Sequence, residues 1–120
     1  MHAFSDLLDD SPAPVVVVNV SSGVGSLGYA GDPAGPAADG MLLGHPSSKA
    51  AVNMLTVKWA RAHPRWQVNA GDPGFTATDL DAHRGNQTVH EGTEASVRLA
   101  CVAPDRPTGT VVDRHGTVPW

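Results

Sequence analysis

The run Val15-Val16-Val17-Val18-Asn19-Val20 constrains the fold of this chain more than any other feature. β-branched side chains favour extended backbone. The run does not alternate apolar with polar residues, so neither face is marked for water. It reads as an inner strand of a parallel sheet, covered on both faces by helices. The residues that follow supply the matching elements. From Pro46 to His63 an apolar stripe of Ala51, Val52, Leu55, Trp59 and Ala62 runs at helical spacing, with a second stripe of Ala50, Met54 and Val57. Pro46 suits a first-turn position, and Pro64 ends the helix. Two stripes imply burial on two sides, against the sheet and against a further body. Trp66 to Ala70 reads as a second strand, closed by the turn cluster Gly71-Asp72-Pro73-Gly74. Thr88 and Glu91 have the spacing of a capping box, which predicts a helix to about Val102 with Ala95, Leu99 and Val102 inward. Gly109 to Asp113 reads as a third strand. Strands alternating with helices predict an α/β fold, with about three parallel strands joined by right-handed crossover helices.

The remaining stretches say less. Phe4, Leu7 and Leu8 give residues 3–9 the look of a short amphipathic helix, which Ser11-Pro12-Ala13-Pro14 breaks. Residues 23–44 hold seven glycines and two prolines and read as a long loop; such loops are uncommon and often functional, and a plain surface loop is the other reading. Cys101 is the only cysteine, so no intrachain disulfide can form, which fits a reducing compartment. It falls in an apolar helical pattern and is expected to be a buried structural thiol. The formal net charge of -4, with no basic run, argues against nucleic acid as the main partner. The acidic N-terminus lacks the marks of a signal peptide, and no apolar run approaches the roughly 20 residues of a membrane helix. The expectation is a single cytoplasmic domain with no membrane partner. Asp79, Asp81 and His83 alternate oxygen and nitrogen donors, but a metal site needs further ligands, and none is expected. No P-loop, HExxH or nucleophile elbow is present.

Ligands of open α/β sheets bind at the carboxyl ends of the strands. Ser21 and Ser22 end the first strand, and Gly74, Thr76 and Thr78 follow the second. Topology alone puts both groups on one rim.

The segments Asn19-Val20-Ser21-Ser22, His45-Pro46-Ser47-Ser48-Lys49-Ala50-Ala51 and Asp72-Pro73-Gly74-Phe75-Thr76-Ala77-Thr78, in this order and on these elements, resemble the C-terminal half of a short-chain dehydrogenase/reductase (SDR). The similarity runs from Ser11 to the end of the chain. Through Thr78-Asp79-Leu80 and His83-Arg84-Gly85 it points to a carbonyl-reductase-like bacterial branch. The resemblance implies a three-layer partial Rossmann fold, the C-terminal half of a doubly wound parallel sheet. It also implies NAD(P)-dependent hydride transfer between a nicotinamide and a small carbonyl or alcohol. In that family a Ser holds the substrate carbonyl and a Tyr passes the proton. A Lys one helical turn later binds the nicotinamide ribose and lowers the Tyr pKa. Carried over, Ser22 takes the first role and Lys49 the last, while Pro73, Gly74, Thr76 and Thr78 match the segment that caps the nicotinamide and nearby phosphate.

Two departures stand against these matches. His45 occupies the Tyr position. Imidazole exchanges protons near neutral pH, but Lys49 one turn away disfavours a second positive charge, so His45 is expected to accept a proton more readily than to donate one. Tyr29 matches no motif and reads as a loop residue. The family's front half, with its strand, glycine-rich turn and helix, has no counterpart in residues 1–120. The resemblance therefore implies one truncated SDR-like domain over 1–120, lacking the N-terminal dinucleotide-binding half, with one flank of the valine strand bare. Alone it is expected to be inactive. Its expected partners are NAD or NADP, a small carbonyl or alcohol substrate, and a second copy through helix 46–63. The alternatives are a non-catalytic oligomerisation or interaction module, and an active enzyme with His45 as acid/base.

Overall fold

A computed structural model describes residues 1–35, 43–101 and 106–120. Strands β1 (Val15–Val20), β2 (Trp66–Gly71) and β3 (Val111–Val112) form one sheet in the order β1-β2-β3. All pairings are parallel. β1 and β2 run together from Val15 opposite Trp66 to Val20 opposite Gly71, and β3 adds Val111 and Val112 beside Ala70 and Gly71. Two short helices, α1 (Ser5–Asp9) and α2 (Leu27–Gly31), precede the long α3 (Gly44–Ala62), which joins β1 to β2; α4 (Val89–Ala100) joins β2 to β3. The α/β class and the strand-helix alternation are those expected.

The pleat assigns the helices to faces. Paired residues of parallel strands project to one side and their successors to the other. Val15, Val17, Trp66 and Val68 meet Trp59 and Ala60 of α3. Val18 and Val112 meet Ala95 and Leu99 of α4. The two helices therefore lie on opposite faces, giving three layers. The strands, however, advance across the sheet in a single direction. Helices on opposite faces then give the two crossovers opposite hands, which corrects the expectation that both are right-handed. Gly71 permits the arrangement, because a Cβ there would sit 2.6 Å from Ser96 Oγ of α4.

β1 is not the inner strand that its composition suggests, and its flank is bare as the resemblance implies. It is an edge strand, paired on one side only among the described residues. Its middle is half-buried and Val20 is 58% exposed. Ser21 N–H donates to Gly71 O at 2.8 Å. Backbone groups alternate along a strand, so Val16, Val18 and Val20 present theirs to the open flank.

Helix α3 buries a different face from the one its apolar spacing suggests. Its buried residues are Asn53, Thr56 and Ala60, whereas Met54 and Leu55 are more than half exposed and Ala51 and Ala62 also face water. The cause is polar pairing. Thr56 Oγ1 accepts from Asn19 Nδ2 at 2.9 Å and donates to Val52 O at 2.9 Å. A polar group with its partners in place can be buried, and apolar periodicity does not detect it.

Elsewhere the elements shift by a few residues. The stretch expected as a loop contains a 3-10 turn (Gly23–Gly25) and α2, whose N-cap Ser26 Oγ accepts from Tyr29 N–H at 3.0 Å. Tyr29 is thus helical and packs against Ala70, Val111 and Val118. The remainder of that stretch, 36–42, lies outside the described residues. In the N-terminal segment only Leu8 of the expected stripe packs on the core, with Phe4 and Leu7 exposed. Asp9 fastens this segment: its Oδ1 accepts from Trp66 Nε1 at 3.0 Å and lies 3.4 Å from His63 Nδ1. The His63 and Trp66 rings stack at 3.8 Å between centroids.

Helix α4 begins at the expected capping box and buries Ala95 and Leu99; Val102 is outside the described residues. Cys101 is exposed, not buried. It is the C-cap of α4, two residues beyond Leu99 and about 200° round the helix from the buried stripe. No helix among the described residues is long and apolar enough to cross a membrane.

α4 is also clipped to the segment after β3. Arg114 reaches Glu91 at 2.8 Å and Glu94 at 3.6 Å, and Arg98 donates to Asp113 O at 2.6 Å. The Arg114 guanidinium, helped by the Thr88 N–H and hydroxyl, holds the Glu91 carboxyl down from 4.5 to about 2. A carboxylate with a depressed folded-state pKa adds stability that is full above its unfolded value and is lost as pH falls toward the folded one. Wild type is therefore expected to exceed Glu91→Gln in urea midpoint at neutral pH. That difference should shrink as pH falls from 4.5 toward about 2. A difference independent of pH would show that the clip does not act through the ionised carboxylate.

Candidate active site

Parallel pairing brings the ends of β1 and β2 side by side, so Ser21 and Ser22 lie on the same rim as Asp72, Pro73 and Gly74. Ser22 has extended backbone at φ -165 and caps the 3-10 turn, its Oγ accepting from Val24 N–H at 3.5 Å. The start of α3 is held against this turn. Lys49 Nζ donates to Val20 O at 3.0 Å, covering the last carbonyl of the open flank. Ser21 is buried and its Oγ donates to Asn53 Oδ1 at 2.5 Å. Asn53 Nδ2 donates in turn to Gly25 O at 3.2 Å.

Gly25 makes the approach possible. A Cβ on it would lie 2.6 Å from the Lys49 carbonyl carbon and 2.7 Å from both Ala50 N and Lys49 Cβ. Gly23 plays the same part toward β2, since a Cβ there would sit 2.7 Å from Asp72 Oδ2. Asp72 is buried, and its Oδ1 accepts from Gly74 N–H at 2.8 Å, forming the turn that Gly74 completes at φ +64.

The structure thus brings together Ser22, Lys49, Pro73 and Gly74 on one rim. His45 lies in the first turn of α3, four residues before Lys49 and on the same helix face. It is exposed, and its carbonyl accepts from Ser48 Oγ at 2.7 Å. The two threonines are tied within their own loop. Thr76 Oγ1 donates to Pro73 O at 2.8 Å and accepts from Gln87 Nε2 at 3.1 Å, and Gln87 Nε2 also donates to Pro73 O. Thr78 caps the turn Asp79–Asp81 reciprocally with Asp81. Gly92 and Gly85 let this loop pack flat, since Cβ atoms there would overlap Thr76 and its neighbours. His83 Nε2 pairs with Asp79 Oδ1 at 2.9 Å. Among the described residues no group of three or more His, Cys, Asp or Glu could hold a metal ion.

The sequence placed Ser21 at a strand end and Asp72 in a turn without giving either a partner, and it gave no role to Asn53 or Gln87. Asn53 had a signal: a polar residue inside an apolar helix, four positions after Lys49. Gln87 had none, because its partners Pro73 and Thr76 are set by loop packing.

No family model matches the chain. Individual proteins do. It is 37% identical over 73 residues to short-chain dehydrogenase/reductase 1 of Saponaria officinalis, covering 61% of this chain and 24% of that one. Salutaridine reductase of Papaver somniferum is 38% identical over 69 residues, covering 58% and 22%. The solved structure of that reductase superposes with a TM-score of 0.71 at 30% identity, over 90% of this chain and 48% of that one. The chain is thus similar to part of the short-chain dehydrogenases/reductases. A third neighbour, the NADPH-bound carbonyl reductase from chicken fatty liver, superposes with a TM-score of 0.68 at 26% identity, over 86% and 42%. The chain thus spans less than half of the SDR structures it matches and aligns with about a quarter of the curated sequences.

Gly25→Ala tests the contact that seats Lys49 on the rim. The added methyl meets backbone, so a loss of about 1–3 kcal/mol in unfolding free energy is expected from urea titration. A neutral result would show that the turn is not packed against α3 as described.

Proposed function

We propose that this chain provides the substrate and nicotinamide side of an SDR-type, NAD(P)-dependent oxidoreductase acting on small carbonyls or alcohols. The observation that carries the reading is the Lys49–Val20 hydrogen bond, which sets an ammonium group on the strand-end rim beside Ser22. The residues fit the ribose and nicotinamide end of the cofactor. Lys49 would donate to the ribose hydroxyls, and Pro73 and Gly74 would border the nicotinamide. Thr76 and Thr78 contribute less than their spacing suggests, because their hydroxyls already serve the loop. Ser22 would donate its hydroxyl hydrogen to the substrate oxygen and fix its orientation. By the resemblance, His45 would take the Tyr position and exchange the proton with that oxygen. When bound, the nicotinamide supplies or takes the hydride.

In this reading turnover needs the dinucleotide-binding part of the fold as well, and the chain alone is inactive. NADPH binding is the test. An NMR titration of the chain should show saturable shifts at Ser22, Lys49 and Gly74, and Lys49→Ala should weaken binding about tenfold through loss of one charge-assisted bond. No saturable shift at millimolar NADPH would overturn the proposal. His45→Tyr, assayed with a supplied dinucleotide-binding half, should raise turnover; a fall would make His45 the working acid/base.

A second reading, a non-catalytic oligomerisation module, is favoured by a separate observation: Met54 and Leu55 are 58% and 54% exposed on α3. It predicts dimers in sedimentation velocity at micromolar concentration, dispersed by Leu55→Glu. A monomer under those conditions removes it.

A further inference from the structure

We infer that Asn53 is a positioning residue, which holds the Ser22 turn in register with Lys49. The inference rests on the roles proposed above for Ser22 and Lys49.

The geometry is specific to the rim. Asn53 is 4% exposed, and its amide has two partners. Gly25 O can only accept, so the amide nitrogen faces it at 3.2 Å and leaves Oδ1 to accept the Ser21 hydroxyl at 2.5 Å. Ser21 and Gly25 flank Ser22 on either side. One side chain thus grips both ends of the short turn that carries the Ser22 hydroxyl. Asn53 also lies four residues after Lys49, so the two project from one helix face. Lys49 adds a third point by binding Val20 O, one residue before Ser21. The three bonds fix Ser22 against the helix turn that carries the ammonium, and Gly25 lets the two backbones touch. A purely structural staple is already present one turn later, where Thr56 holds Asn19. That pair lies away from the Ser22 turn and provides a control.

Asn53→Leu keeps the side-chain bulk and deletes both bonds. Thr56→Val deletes the control bond. Both variants should lower thermal stability. The expected separation is in NADPH affinity by NMR titration: about tenfold weaker for Asn53→Leu and within about twofold of wild type for Thr56→Val. Equal weakening in the two variants, or none in Asn53→Leu, would reduce Asn53 to a core staple and overturn the inference. If the wild-type chain shows no NADPH-dependent shift, the proposed function falls, and the positioning claim is decided by the Lys49 ammonium resonance. Movement of that resonance in Asn53→Leu but not in Thr56→Val supports positioning; no movement in Asn53→Leu, or equal movement in both, overturns it. Should Asn53→Leu fail to fold, Asn53→Ser is read by the same criteria.

Discussion

The parallel ladder between β1 and β2 is the interaction on which the rest depends. A strand can be buried only when its backbone groups have partners. β2 has a strand on each side, and Trp66, Val68 and Ala70 are almost wholly buried. β1 has a partner on one side and stays half-buried despite its valines. The same ladder ends with Val20 beside Gly71, which sets the Ser21–Ser22 end and the Asp72–Gly74 turn on one rim. Candidate site and core are therefore two consequences of one register.

Apolar contact is not directional and does not by itself fix how far a helix slides along a sheet. Polar pairs supply that information here. Asn19 with Thr56, Val20 with Lys49, and Ser21 with Asn53 form a line of bonds along the last residues of β1 and just past its end, all to one side of α3. Asn69 does the same on the other side of β2, holding Pro107 O and Thr110. Each such bond contributes only about 0.5–1.5 kcal/mol net, but breaking one strands a buried polar group, which penalises every other register. The price of this precision is a helix whose Met54 and Leu55 are left in water.

The open flank of β1 links the two functional readings. Val16 and Val18 carry no charge and turn their backbone groups outward, and the only cover described there is Lys49 on Val20 O. An uncharged edge of this kind is a template for another strand. Completing the sheet with a dinucleotide-binding unit would give an oxidoreductase, whereas pairing with another copy would give an assembly. On the proposed function, Ser22 and Lys49 would serve only the first.

Much was legible in the sequence because it depends on neighbours along the chain. The Val15–Val20 run, the Pro46–Pro64 bracket of α3, the Thr88–Glu91 capping box and the Ser-to-Lys motif order are local signals, and each corresponds to an observed element. The sequence by itself thus determined the α/β class, the parallel order and the rim where Ser22, Lys49, Pro73 and Gly74 meet. Only the tertiary structure decided that the crossovers have opposite hands, that α3 buries Asn53 and Thr56 instead of Leu55, that Cys101 faces water, and that Thr76 and Thr78 serve their own loop. These outcomes depend on which distant group meets each donor, acceptor or missing Cβ, and that information resides in the packing of segments 20 to 40 residues apart, not in any local pattern.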